Sequence, residues 1–483
     1  MKFQRVTLFV ALTLTIVPST SAGASVNPMW QAARNADLPS GATGLYNGNL
    51  SVLSCPAPGD CAAAGIDQVS SGNSYGLLLN EVSGVWRDPT KVTPPANAAV
   101  SNGVSVYDVS CGATNFCNAV GTFSDSSLNQ WSFVVDEVDG VWQRASEIVL
   151  PANAVKSSQV SDLHSISCAS AGNCSAVGAY SVAVGANLVQ EPFVVSEVAG
   201  RWTSAQEITL PVGANFNPFG ELSQVSCSRA GDCSAAGSYI DKNNVTHALV
   251  ANETAGIWRA GASLALPANA SAYAGANLSE LTCANAGNCA AAGTYNVPGA
   301  GVEMLVANET NGAWGRASEV ALPANAAANP QVLLYGFGGV ACPSPGDCAS
   351  GGQYQDKSGN TQGFLVNEVS GHWQAATELV LPAGAVQAGK NGGVVALSCI
   401  SVGNCTAGAA YQDSSGNYQA LLINETNHLW AAGTRITLPS GASTVGQAGG
   451  VYAVDCQKTG VCDAVGSYET ASGNYLGFTD HAS

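Results

Sequence analysis

Sixteen cysteines fall into eight pairs of one spacing, Cys55/Cys61, Cys111/Cys117, Cys168/Cys174, Cys227/Cys233, Cys283/Cys289, Cys342/Cys348, Cys399/Cys405 and Cys456/Cys462, and successive pairs lie 56 to 59 residues apart. A pattern recurring at a fixed period marks a repeat architecture, in which neighbouring copies bury one another's apolar faces. No cysteine is left over, so the spacing predicts eight local disulfides and an oxidising compartment. Structural zinc is the rival reading. It typically takes ligands about two to four residues apart and four per site, which five intervening residues do not match. The spacing also differs from the C-x-x-C of redox enzymes, so the expected role is mechanical, a clamp on a local turn.

Other landmarks repeat in step with the cysteines. Each pair is followed by small residues, as in "CSAVGAY" and "CAAAGTY", then by an apolar run closing on a glutamate: Glu81, Glu137, Glu197, Glu253, Glu309, Glu368 or Glu425. A tryptophan follows each at five residues, from Trp86 to Trp430, and "LPANA" or a relative comes next. This grammar is that of four antiparallel strands. The first ends at the leading cysteine, the second leaves the trailing one, the third ends at the glutamate and the fourth runs from the tryptophan to Leu-Pro. Dipeptides such as Ser83-Gly84 and Asp139-Gly140 suit a two-residue hairpin turn with positive φ, which sets each glutamate opposite its tryptophan. Cysteines at the ends of adjoining strands then face each other closely enough to bridge.

Four short strands per period predict an all-β chain, an eight-bladed β-propeller. The last unit stops after its third strand, at "YLGFTDHAS", whereas "MWQAARNADLPSGA" near the start carries Trp30 and Leu38-Pro39. Trp30 stands 25 residues before Cys55, as Trp86 stands before Cys111. Residues 30–39 are therefore expected to be the outer strand of the last blade, closing the ring. A linear solenoid offers no reason for complementary half-units, and an open array would need a cap. In this layout the chain resembles secreted bacterial β-propeller repeat proteins. The resemblance is architectural: the Trp-Asp endings, Kelch glycines, sialidase boxes and calcium loops of known propellers are missing, and the fold hosts enzymes, lectins and scaffolds alike.

Lys2 and Arg5 precede an apolar run from Val6 to Val17 and small residues ending at Ala24, the form of a signal peptide spanning 1–24 and removed near Ala24. The rest, 25–483, is expected to be one propeller, a monomer, secreted or held at the cell surface without inserting in the membrane; the run is short for a membrane span. Charged residues are only 10% of the chain, and the net charge is −17, or −19 without Lys2 and Arg5. That balance excludes nucleic acid and anionic membrane surfaces as partners.

The cysteine loops and glycine turns should share one face, and the more variable loops the other, where binding residues are expected. Just before the first cysteines stand Tyr107, Asp108, Asp162, His164, Glu221, Glu280 and Tyr452. The acids come from successive blades and can form a negative axial mouth for a cation or a polyhydroxylated ligand, with the tyrosines as stacking surfaces. Solvated acids and packing aromatics are the structural alternative. Trp131 stands outside the tryptophan register, either as an exposed contact or as packing. Catalytic motifs are missing: there is no H-E-x-x-H, G-x-S-x-G or phosphate-binding loop, and no cofactor is implied. The expected function is an extracellular binding or scaffold module for a glycan, wall polymer or protein. A carbohydrate-active hydrolase or lyase with an axial site is the alternative.

Overall fold

A computed structural model describes residues 30–36, 49–68, 74–99, 103–158, 160–271, 275–334, 339–386, 393–443, 449–458 and 460–482. The proposed signal segment, Leu38 and Pro39 lie outside them. The described chain forms eight antiparallel sheets, here blades 1 to 8, with no helix. Blade 1 shows the plan: Asn49–Ala57, Asp60–Gln68 and Ser74–Val82 pair in sequence order, followed by an outer strand in two pieces, Val85–Trp86 and Thr90–Lys91. Glu81 faces Trp86 while Leu78 faces Thr90, so the register slips by one residue between the pieces, and the outer strand ends before the Leu-Pro position. All seven glutamates face their tryptophans as the turn chemistry requires.

The N-terminal segment reproduces this slip. Trp30 bridges Ala482, while Arg34 and Asn35 pair with Thr479 and Phe478 of Tyr475–Ala482, the third strand of blade 8. Gln31 and Ala36 donate backbone hydrogen bonds to His481 and Gly477, and Ala33 donates to Thr437 of the preceding blade's connection. The ring is closed by its own first strand.

The apolar core is distributed among the joints between blades. One cluster joins Leu78 and Val52 to Val106 and Phe133 across blades 1 and 2; another joins Leu50, Leu77 and Leu79 to Ala453 and Val465 across the closing joint. A ring of polar bonds accompanies the clusters. Cys111 N–H donates to Ser54 Oγ (3.0 Å), Cys168 to Ser110 Oγ (2.9 Å), Cys227 to Ser167 Oγ (2.9 Å), Cys283 to Ser226 Oγ (2.9 Å) and Cys456 to Ser398 Oγ (3.0 Å). At the closing joint Cys55 N–H donates to Asp455 Oδ2 at 2.7 Å, a contact across 400 residues of sequence. At these six joints the residue before a leading cysteine, Ser54, Ser110, Ser167, Ser226, Ser398 or Asp455, thus serves the next blade.

All eight disulfides form as paired by the spacing: Cys55–Cys61, Cys111–Cys117, Cys168–Cys174, Cys227–Cys233, Cys283–Cys289, Cys342–Cys348, Cys399–Cys405 and Cys456–Cys462, with Cα separations of 3.9 to 4.1 Å. The two halves of each bridge differ in burial. The trailing cysteines Cys61, Cys117, Cys174, Cys233, Cys289, Cys348, Cys405 and Cys462 are buried, at 2 to 6% exposure, so they are core residues as well as staples. Cys117 packs with Val109 and Val135, Cys348 with Ala290 and Val340, and Cys405 with Leu397 and Ile423. Cys462 is covered at its blade joint, with its sulfur 3.9 Å from Thr406 Oγ1 of blade 7. The physical reason is position: each trailing cysteine opens the second strand, which is sandwiched between the first and third strands of its own sheet. The leading cysteines, at the end of the innermost strand, stay half-buried.

Each bridge staples the first hairpin of its blade, and in blade 1 that hairpin touches the tryptophan hairpin where Gly84 N–H donates to Gly59 O at 2.9 Å. The two sets of turns therefore share one face. A side chain at Gly59, whose φ is +75°, would meet Gly84 N at 2.8 Å, so glycine is required there by both conformation and space.

The structure also explains the glutamate and tryptophan. Asn367 of blade 6 reaches into blade 7, donating Nδ2–H to Glu425 Oε1 (2.5 Å) and accepting Trp430 Nε1–H on Oδ1 (2.9 Å). Asn252 holds Glu309 and Trp314 in the same way, and Asn80 holds Glu137 and Trp142. The cross-strand pair is thus a clasp on the preceding blade. Asn367→Ala would leave both Glu425, 4% exposed, and the indole N–H unpaired in the interior. The expected loss is about 2–5 kcal/mol in denaturant unfolding, against a few tenths for an exposed asparagine.

Candidate functional site

The innermost strands surround an axial cavity of about 610 Å³, walled by residues of blades 1, 2, 3, 4, 5, 7 and 8. A repeated irregularity shapes its wall. Each of these seven strands carries a β-bulge four residues before its leading cysteine, at Ser51, Tyr107, His164, Ser223, Ser279, Val395 and Tyr452. A bulge leaves one residue out of the ladder and redirects its side chain. The cost of the bulge is met by glycine on the second strand: a Cβ at Gly65, Gly121 or Gly178 would lie 1.8 to 1.9 Å from the carbonyl oxygen of Asn49, Ser105 or Asp162. The glycine of "CAAAG" and "CSAVG" is therefore a requirement of the axial wall.

Of the residues singled out from sequence, Tyr107, Asp108 and His164 share this cavity. Tyr107 is 37% exposed, with its hydroxyl 3.1 Å from Thr122 Oγ1. Asp108 accepts hydrogen bonds from Val109 N–H (2.8 Å) in its own blade and from Ser165 Oγ (3.0 Å) and Ile166 N–H (2.9 Å) in the next. Burial pushes its carboxyl up to about 6 against the pull of those donors. Its bonding is that of a joint between blades 2 and 3, with one edge on the cavity.

Asp162, Glu221, Glu280 and Tyr452 are not on the wall. Asp162 accepts Gln130 Nε2–H, and Glu280, 2% exposed, accepts Ser350 Oγ–H at 3.1 Å from the neighbouring blade. Glu221 is half-buried opposite Ser238 at the start of its strand. The Tyr452 hydroxyl accepts from Ser467 Oγ at 3.3 Å. Among the described residues, then, one carboxylate rather than four edges the cavity. Trp131 is half-buried against the blade 1–2 cluster and donates Nε1–H to Asp125 Oδ2 at 2.9 Å, which is the packing reading.

Residues that sequence reasoning passed over complete the wall: Asn49, Ser51, Ser165, Ser223, Gln224 and Ser279. Ser51, Ser223 and Ser279 share the bulge's offset of four residues before the leading cysteine, a signal usable only once the bulge position is known. These amide and hydroxyl groups donate and accept hydrogen bonds alike, Tyr107 offers an aromatic face, and His164 can exchange a proton.

No family model and no curated protein matches the sequence. Among solved structures the chain is similar to a protein of unknown function from Dyadobacter fermentans, at 10% identity over 93% of this chain and 99% of that one, with a TM-score of 0.36. It is also similar to an ulvan lyase of a polysaccharide lyase family, at 10% identity over 76% and 90% with a TM-score of 0.42. The fucose-specific lectin from Aleuria aurantia matches at 11% identity over 82% and 99%, with a TM-score of 0.32. Likeness at that level carries no residue role and no activity across to this chain.

Proposed function

We propose that this chain is an exported, disulfide-stapled binding propeller whose axial cavity takes a polyhydroxylated ligand, a glycan or wall polymer, without net negative charge. The observation that carries the reading is the wall itself. Serine, asparagine and glutamine side chains from several blades converge with one exposed tyrosine on about 610 Å³, within the roughly 300–1,000 Å³ usual for small-molecule sites. Groups that both donate and accept suit vicinal hydroxyls, and a flat aromatic face suits the apolar face of a sugar ring. The chain's net charge of −17 repels polyanions. Eight disulfides fit an oxidising environment, and among the described residues no helix is long and apolar enough to cross a membrane.

One observation favours a second reading, a carbohydrate lyase or hydrolase: Tyr107, Asp108 and His164 share the cavity, and imidazole, phenol and carboxyl are the groups that general acid–base catalysis uses. Against it, the Asp108 carboxylate is occupied by three donors. A glycan array read with the disulfide-intact protein tests both. Binding to neutral glycans, lost on the order of 10-fold or more in Tyr107→Ala as for a hot-spot aromatic, with no new reducing ends, supports the binding module. Release of reducing ends that His164→Ala abolishes would establish the enzyme instead. A blank array would remove the glycan and point to a protein ligand.

A further inference from the structure

The clasp asparagine is replaced at three joints: Asp136 and Ser196 still accept the indole N–H of Trp202 and Trp258, whereas the third replacement, His481 of blade 8, is chemically different. In blades 1, 4, 5 and 6 the clasp asparagine lies opposite a small residue across its sheet: Ala62 faces Asn80, Ser234 faces Asn252, Ala290 faces Asn308 and Ala349 faces Asn367. In blade 8 the corresponding pair is Asp463 and His481. Blade 1, on the other side of the closing joint, keeps its glutamate, Glu81, and its tryptophan, Trp86.

The three side chains converge. Asp463 Oδ1 lies 2.9 Å from His481 Nδ1, and one ligand atom from each of Glu81, Asp463 and His481 falls within 4.8 Å of the others. Asp463 is fully buried and Glu81 is 3% exposed. Both carboxylate oxygens of Glu81 lack a hydrogen-bond partner, unlike those of Glu137 or Glu425, which an asparagine serves. Two carboxylates thus face a single imidazole. Among the described residues no lysine or arginine forms an ion pair with either acid. The imidazole is 27% exposed, which supplies a route of entry from solvent.

We propose that Glu81, Asp463 and His481 form a binding site for one divalent transition-metal ion of the zinc type, which clamps blade 8 to blade 1. One imidazole nitrogen and two carboxylate oxygens are a donor set that zinc accepts, with solvent in the fourth place. Donors at about 2.0–2.2 Å around a tetrahedral ion stand roughly 3.4 Å apart, so small side-chain rotations bring this triad to coordination distance. Calcium and magnesium prefer all-oxygen sites and are disfavoured by the imidazole. The ion gives the unpartnered oxygens of Glu81 a ligand and cross-links the two ends of the chain. The pair Cys55/Cys61 beside Asp463, and the pair Cys283/Cys289 beside Glu309 in blade 5, also approach carboxylates, but as disulfides they hold no thiolate for a metal.

The test uses the full disulfide-bonded chain, free of any histidine tag, stripped with a chelator and desalted. Zinc chloride titrated by calorimetry should bind at one ion per chain, and the melting temperature should rise with zinc concentration. Calcium should produce neither effect. Glu81→Gln should weaken zinc binding by more than the roughly 100-fold typical of losing an outer-shell partner. His481→Asn restores an asparagine opposite Glu81 and Trp86, so it should abolish zinc binding while leaving the metal-free protein at least as stable as the parent. That gain separates lost ligation from simple misfolding. A wild-type protein that retains no zinc and does not shift its melting temperature would overturn the proposal, as would stoichiometric zinc binding that survives both substitutions.

Discussion

A chain beginning at Asn49 is expected to lose at least about 5 kcal/mol of stability and to associate through blade 8. The removed segment carries Trp30 and Ala33, which pack with Phe478, Leu422 and Val451, and it supplies the backbone partners of the third strand of that blade. Losing one large packed aromatic alone costs about 3–5 kcal/mol. The exposed strand then offers unpaired backbone groups as a template for other chains. A peptide spanning residues 25–48 added in trans should restore monodispersity and most of the melting temperature. Removing an equal length of an unpaired tail would do neither, and a truncated chain as stable as the parent would show that the segment is an ornament.

The second large effect is on pH. Burial pushes the carboxyls of Glu137, Glu197, Glu253 and Glu425 up to about 7. In the unfolded chain such groups titrate near pH ~4.3. Below that value both states are protonated and the glutamates' contribution is fully present. As pH rises towards 7 the unfolded state sheds its protons first, so stability is lost across this interval and levels off above it. A tenfold difference in proton affinity between folded and unfolded chain is about 1.4 kcal/mol. Even that much at each of the four, a figure discounted for solvent screening, amounts to roughly 6 kcal/mol.

An acid limb opposes this. The Asn129 side chain, with the backbone N–H groups of Asn129 and Ser127, holds Asp125 at about 2, and Val245 N–H leads the donors that hold Asp241 at about 2. Their contribution disappears as pH falls from ~4 towards 2. Stability should therefore peak between about pH 4 and 5 and decline towards pH 8, measured by denaturant unfolding in the presence of chelator. Glu425→Gln should flatten the decline by its share. A profile that rises from pH 5 to pH 8 would contradict the burial of these carboxylates.

What could be read in the sequence and what could not follow from the range of the interactions. The disulfides, the glutamate–tryptophan register and the closing strand are all relations within one blade or between equivalent positions of the repeat, so spacing alone carried them. The clasp joins residues such as Asn367 and Glu425, 58 apart and on different blades, where nothing local marks the asparagine as a partner. The burial of Cys117 and Cys405 beside half-buried Cys111 and Cys399 likewise depends on which strand is flanked on both sides, a property of the assembled sheet. The axial acids were misplaced for a related reason. Position along the first strand does not show which neighbour a side chain meets: Asp162 is held by Gln130 of the preceding blade and Glu280 by Ser350 of the next, and only Asp108 keeps an edge on the cavity. Nothing in the sequence marks His481, because its meaning depends on what stands opposite it, Asp463, and on what lies across the closing joint, Glu81.

Hydrogen exchange at the amino-terminal strand probes ring closure most directly. The amides of Gln31, Ala33 and Ala36 donate to His481, Thr437 and Gly477, so peptides covering residues 30–36 should exchange as slowly as those covering 475–482. Exchange of 30–36 at the rate of an unstructured peptide, while 475–482 stays protected, would mean that the eight blades do not close through this strand.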